Sequence, residues 1–159
     1  MKTLIIYASK HGCTEKCSNL LKGKLNGEVK IVDIKKDNVP EIALFDKIII
    51  GGSIYMGRIQ KELNEFCLKN ISTLKNKKLG FFICCMKEND IAETQISNSF
   101  PEELLINAIT RGYFGGEFIF KKMNFLERLI VKKVSKINKD TSTLSKENII
   151  KFAQSINNV

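Results

Sequence analysis

The stretch Ser9-Lys10-His11-Gly12-Cys13-Thr14 joins two segments of different period. Before it runs Leu4-Ile5-Ile6-Tyr7-Ala8, a continuous apolar tract that reads as a buried strand over Lys2–Ala8. After it, Cys13, Cys17, Leu20, Leu21 and Leu25 recur on one helical face, which predicts a helix from about Cys13 to Leu25 with Gly27 as its C-terminal cap. A short loop from a strand into a helix N-terminus collects an anion. The first-turn N–H groups have no intrahelical partner, and the helix dipole favours negative charge there. Ser9 and Thr14 add hydroxyl donors, and Gly12 allows close backbone approach. The loop lacks the Gly-Lys-Ser/Thr ending of a triphosphate loop and the three spaced glycines of a dinucleotide fingerprint, so a small monophosphate fits it best.

Outward from this loop, strands alternate with helices. Val29–Ile34, Lys47–Gly51, Leu79–Cys85 and Gly112–Phe118 read as further strands. Leu63, Phe66, Cys67, Ile71 and Leu74 mark one helix, Pro101 opens another carrying Leu104, Leu105, Ala108 and Ile109, and Ile149, Ile150, Ala153 and Ile156 give the last its apolar face. The pattern is that of an α/β three-layer sandwich around a five-stranded parallel sheet, in one domain over residues 1–159.

Such sheets bind ligands beyond the carboxyl ends of their strands. That rule selects Ser9–Thr14, then Gly51-Gly52-Ser53-Ile54-Tyr55-Met56-Gly57, then the loop from Cys85 to about Asp90, which includes Met86 and Lys87. In the second loop the glycines suit the tight backbone a flat ligand needs, and Tyr55 can stack on a ring system. Cys84 and Cys85 read as strand core, with a place beside the ligand as the alternative.

The net charge of +9 favours nucleic acid, an anionic membrane or an acidic small substrate as partner. Most of it sits in one segment. Within Phe118–Lys139 seven basic residues face the single acid Glu127, a balance of +6 (7 − 1). Leu126, Leu129, Ile130, Val134 and Ile137 lie on one helical face of the same segment. A basic amphipathic helix suits a membrane surface or an acidic partner, or else packs on the sheet with its lysines in water. Concentration of charge on one helix, with few aromatics between, argues against nucleic acid. No apolar run approaches a membrane span, and the N-terminus has no signal-peptide layout, so a cytoplasmic protein is expected. The five cysteines are odd in number and lie on predicted elements, as buried thiols do, and with one histidine no metal-ligand spacing is evident.

Ser9, Gly12 and Thr14 resemble the Thr/Ser-x-Thr-Gly-x-Thr phosphate loop of flavodoxins, with His11 in place of a hydroxyl residue and Cys13 where Asn is common. The start Met1-Lys2-Thr3-Leu4-Ile5, the Gly51–Gly57 loop and the late basic helix are similar to the flavin-dependent protoporphyrinogen dehydrogenase branch of that family. The resemblance implies a flavodoxin-like fold and non-covalent FMN held by Ser9, Lys10, His11, Gly12, Cys13, Thr14, Ser53, Ile54, Tyr55, Met56, Gly57, Met86 and Lys87. It also implies flavin-mediated electron transfer with no catalytic acid, base or nucleophile from the chain. Two functions follow from it. One is a protoporphyrinogen IX dehydrogenase passing electrons to a membrane quinone, peripheral at the inner face of the cell membrane. The other is an electron carrier docking with a redox protein.

Overall fold

The computed structural model describes residues 1–159. Five strands, β1 (Lys2–Ala8), β2 (Glu28–Asp33), β3 (Lys47–Ser53), β4 (Lys78–Cys84) and β5 (Thr110–Tyr113), form one sheet in the order β2-β1-β3-β4-β5. Every neighbouring pair is parallel. This is the flavodoxin-type doubly wound order, which reverses direction at β1 and β3. The register pairs Ala8 with Gly52 and Ser53 with Cys84, so the loops after β1, β3 and β4 leave the sheet at one level.

Helices α1 (Cys13–Lys22) and α7 (Lys146–Asn157) cover one face. Helices α2 (Lys61–Lys69), α3 (Ile71–Leu74), α4 (Asn89–Ser97) and α5 (Glu102–Leu105) cover the other. The central strands are buried on both sides, which is why their sequences run apolar without alternation. Phe82 stacks on Phe114 at 4.5 Å between centroids, and Phe152 of α7 meets Phe114 edge-on at 5.3 Å. Buried Lys47 on β3 sends its ammonium to the carbonyl of Ile156, 2.6 Å away, which ties the end of α7 to the sheet.

Several boundaries differ from the sequence expectations. Helix α1 stops at Lys22, capped by Gly23 rather than Gly27. Gly27 instead makes the turn into β2 with φ 83°, where a side chain would strike the Met1 carbonyl. The expected Leu63–Leu74 helix is two helices, broken at Asn70, whose side chain caps Phe66 O at 2.9 Å. The helix after Pro101 lasts one turn, so Ala108 and Ile109 lie outside it. Helix α4 was not expected, because only Ala92 and Ile96 bury from it.

The expected fifth strand, Gly112–Phe118, is cut short at Tyr113. The chain turns at Gly115, φ 77°, where a Cβ would sit 1.9 Å from Thr143 O. Strand β6 (Glu117–Phe118) then pairs antiparallel with β7 (Thr141–Ser142) in a separate ribbon. Between them the chain makes an excursion through a 3-10 turn (Phe120–Lys122) and helix α6 (Phe125–Ser135). The basic helix is therefore shorter than Phe118–Lys139 and excludes Ile137. Its apolar face is turned outward. Phe125, Leu126, Leu129 and Val134 are exposed, whereas Glu127 and Val131 face inward. No helix is long and apolar enough to cross a membrane.

Candidate functional site

The three loops predicted from the sheet topology line one open cleft of about 1000 Å³, solvent-open part included. Ser9, Lys10, His11 and Cys13 form one wall, Ser53, Ile54, Tyr55, Met56 and Gly57 a second, and Met86 and Lys87 a third. Gly12 and Thr14 stand behind the first wall rather than on the cleft surface: Gly12 shapes the loop and Thr14 is fully buried. The excursion supplies what the sequence reading missed. Phe118, Met123, Glu127, Val131 and, at the exposed rim, Val134 join the lining.

The first loop is set by Gly12. Its φ of 92° turns the chain into α1, and its N–H donates to Ser9 Oγ at 3.0 Å. No side chain caps α1, so its first N–H groups are left for a ligand. Thr14 Oγ1 and His11 Nε2 are buried polar atoms with no hydrogen-bond partner in the protein. An orphaned hydroxyl beside uncapped N–H groups fits an anion of phosphate size. A further cation attends it: Lys122 Nζ lies 3.1 Å from His11 O and 3.2 Å from where a Gly12 Cβ would stand.

The second loop is a tight turn closed by paired hydrogen bonds between Tyr55 and Arg58, 2.9 and 3.1 Å. Met56 and Gly57 both take positive φ, 51° and 76°, as a two-residue hairpin turn requires. Gly51 and Gly52 do not form this turn. They lie in β3, where a Cβ on Gly51 would come within 2.1 Å of the Phe82 ring and one on Gly52 within 2.6 Å of Leu63. These glycines serve packing, and the ligand-sized space comes from the turn beyond them. Gln60 steadies the turn's base, accepting from Ser53 N at 3.1 Å and donating to Ser53 Oγ at 2.5 Å.

Glu127 ties the excursion to the phosphate-type loop. Its carboxylate meets Lys10 at 2.5 Å and lies 3.6 Å from His11 Nε2. It also closes a capping box on α6, accepting from Asn124 N while Asn124 Oδ1 accepts from Glu127 N. Burial pushes the Glu127 carboxyl up, but the bonds from Lys10 and Asn124 and the nearby charges prevail and hold it below the usual range. Lys10 is held above its ordinary value: burial opposes this, and pairing with Glu127 outweighs it. The signal was present in the sequence as Asn124-x-x-Glu127 and as the single acid among seven bases. Beside it, Lys16 of α1 pairs with Glu117 of β6 at 2.8 Å.

Cys13, Cys17 and Cys84 converge behind the first loop, their sulfurs all within 4.8 Å of one another. Interaction with the Cys17 and Cys84 thiols holds Cys13 below its usual range, while interaction with Cys13 and Cys17 pushes Cys84 up. All five cysteines are free. Cys85 lines the cleft, and its thiol donates to Lys87 O at 3.2 Å.

A parallel sheet in 2-1-3-4-5 order, with an uncapped helix N-terminus after β1 and an aromatic turn after β3, defines the flavodoxin-like class. A model of the flavodoxin-domain family matches residues 4–145, and the chain belongs to that family. Among curated relatives it is similar to protoporphyrinogen IX dehydrogenase [quinone] of Escherichia coli K12, 21% identical over 155 residues that cover 92% of this chain and 86% of that one. The Leishmania major protein of the same name is 23% identical over 92% of this chain and 67% of its own. Among solved structures, a Streptococcus pneumoniae flavodoxin aligns with TM-score 0.56 at 15% identity, covering 98% and 97% of the two chains. A Fusobacterium nucleatum flavodoxin bound to flavin mononucleotide aligns at 0.53 and 12% identity, covering 98% and 96%.

Proposed function

We propose that the chain, as a single domain, binds FMN and oxidises protoporphyrinogen IX, passing the electrons to a quinone. The observation that carries the cofactor is the buried, partnerless Thr14 hydroxyl at the uncapped start of α1, one wall away from the Tyr55 turn. Thr14 Oγ1 and the first N–H groups of α1 would hold the phosphate, with Ser9, His11, Cys13 and Lys122 around it. Tyr55 and Met56 would flank the ring system, and Ile54, Met86 and Lys87 would close its other edges. FMN, when bound, supplies the electron-accepting and electron-passing chemistry. The chain's own part is to bind, orient and exclude water.

Two features support the finer assignment. Relatives matching almost the whole chain carry that activity in their names. Lys10 and Lys87 line the cleft and Lys122 reaches the His11 carbonyl beside it, basic groups suited to a substrate bearing two propionates. The outward apolar face of α6, with Lys132 and Lys133 alongside, suits the cytoplasmic surface of an anionic membrane that carries the quinone. That same face also fits a second reading, a carrier docking with an acidic redox protein.

The test is twofold. Cofactor released from purified protein is identified by chromatography as FMN rather than FAD. A bacterial strain lacking its own protoporphyrinogen-oxidising enzyme is then complemented with the gene. Recovery of FAD overturns the cofactor assignment. Failure to complement, together with ready electron exchange with a flavodoxin reductase, gives the carrier reading.

A further inference from the structure

We infer that Cys13, Cys17 and Cys84 form a three-thiolate site for a soft, thiophilic cation, Cu(I). Cys13 and Cys17 stand four residues apart on α1, hence on one face, and Cys84 closes the triangle from the end of β4. The three sulfurs lie within 4.8 Å of one another. Metal–sulfur bonds of about 2.3 Å in a planar trigonal arrangement need sulfurs about 4 Å apart, so the site closes on an ion with less than about 1 Å of contraction.

The donor set selects the ion. No histidine or carboxylate joins the cluster. All-thiolate ligation excludes hard cations such as Mg²⁺ and Ca²⁺. Zn²⁺ takes four ligands, and with three from the chain the fourth would have to be a water. Cu(I) accepts soft sulfur donors without that fourth ligand.

The surroundings are those of a built site. Cys17 is 0% exposed, Cys84 3% and Cys13 8%. Ile5, Ile49, Phe82 and Phe114 pack around them as an apolar shell. Cys13 and Cys84 also line the cleft, which gives the ion an entry path. Negative charge gathered by the bound thiolates falls at the N-terminus of α1, where Cys13 is the first helical residue. Binding displaces the thiol protons to solvent and changes no oxidation state. The inference does not depend on FMN.

Reduced protein is titrated anaerobically with Cu(I) against a chromophoric Cu(I) chelator, and the complex is examined by X-ray absorption. The expected result is one Cu(I) per chain with three sulfur ligands, together with proton release. Cys17→Ala and Cys84→Ala, checked for folding by circular dichroism, each weaken binding by at least about 100-fold, since even residues outside a metal's ligand shell are worth 10- to 100-fold. Cys67→Ala, a buried thiol outside the cluster, leaves binding unchanged. A Zn²⁺ arm gives weaker binding than its Cu(I) counterpart. No Cu(I) retained against the chelator, or equal retention by wild type and both cluster variants, overturns the inference. If the variants do not fold, a wild-type absorption spectrum without three sulfur neighbours overturns it alone.

Discussion

Lys10 covers Tyr55: its ammonium lies 3.4 Å from the ring centroid while pairing with Glu127 at 2.5 Å. The face that a flavin ring would use is thus held by a cation–π contact, and the cation belongs to the loop that would hold the phosphate.

Ring binding and this contact therefore compete. An exposed cation–π contact is worth about 0.5–1 kcal/mol. Lys10→Ala is expected to bind riboflavin, which lacks the phosphate, about two- to fivefold more tightly than wild type. FMN affinity gains less, because the same ammonium stands near the phosphate loop. Flavin fluorescence quenching measures both. Equal or weaker riboflavin binding by the variant shows that Lys10 does not occupy the ring's place.

Thr14→Val removes the buried hydroxyl that has no partner in the protein. A hydrogen bond to a charged acceptor is worth about 1.5–3 kcal/mol. FMN affinity is expected to fall by that amount while riboflavin affinity stays at the wild-type value. A matching loss for riboflavin would mean that the substitution disturbs the loop, not the phosphate.

The Glu127 tether gives α6 a pH dependence with a definite sign. The folded carboxyl is held below its ordinary range, so its contribution is present above the unfolded value and lost as pH falls through the folded one. Lys10 is raised, so its contribution is complete below its unfolded value and disappears only as pH rises through the folded one. Protection of the α6 amides, relative to their intrinsic exchange, is expected to hold through neutrality and to fall in acid, beginning in the usual carboxylate range and ending below it. Glu127→Gln is expected to be less protected at pH 7 and to lose the acid transition.

The strands and the three cleft loops were legible because buried parallel strands are written as unbroken apolar runs, as in Leu4–Ala8 and Ile48–Ile50. Topology then places their carboxyl ends together. The excursion was less legible. Its apolar stripe was visible, but periodicity does not say which face of α6 meets the protein, and a charged residue, Glu127, proved to face inward beside Val131. Gly51 and Gly52 were read as ligand-loop glycines, yet their role depends on Phe82 and Leu63, which are distant in sequence. The Cys13–Cys17–Cys84 cluster was hidden for the same reason: Cys13 and Cys17 lie on α1, and Cys84 arrives from β4, distant in sequence.

The packing role of Gly51 makes a stability prediction. A Cβ there would overlap the Phe82 ring, which is fixed between Phe114 and Phe152. Gly51→Ala is expected to destabilise the fold by about 1–3 kcal/mol through overpacking, measured by urea denaturation.

The outward face of α6 makes a surface prediction. Each basic residue near an anionic bilayer is worth about 1 kcal/mol. Lys132→Glu/Lys133→Glu/Lys136→Glu is expected to weaken binding to anionic vesicles by about 100-fold or more, and added salt weakens the wild type in the same direction. Equal sedimentation with neutral and anionic vesicles contradicts the electrostatic attachment.

The most direct test of the central claim is turnover by the FMN-loaded protein, with protoporphyrinogen IX as electron donor and a soluble quinone as acceptor, followed by porphyrin fluorescence. The account predicts quinone-dependent formation of protoporphyrin IX that is lost when the flavin is removed and restored when FMN is added back. Porphyrin formation no faster than the flavin-free control, from protein shown to hold FMN, would contradict it.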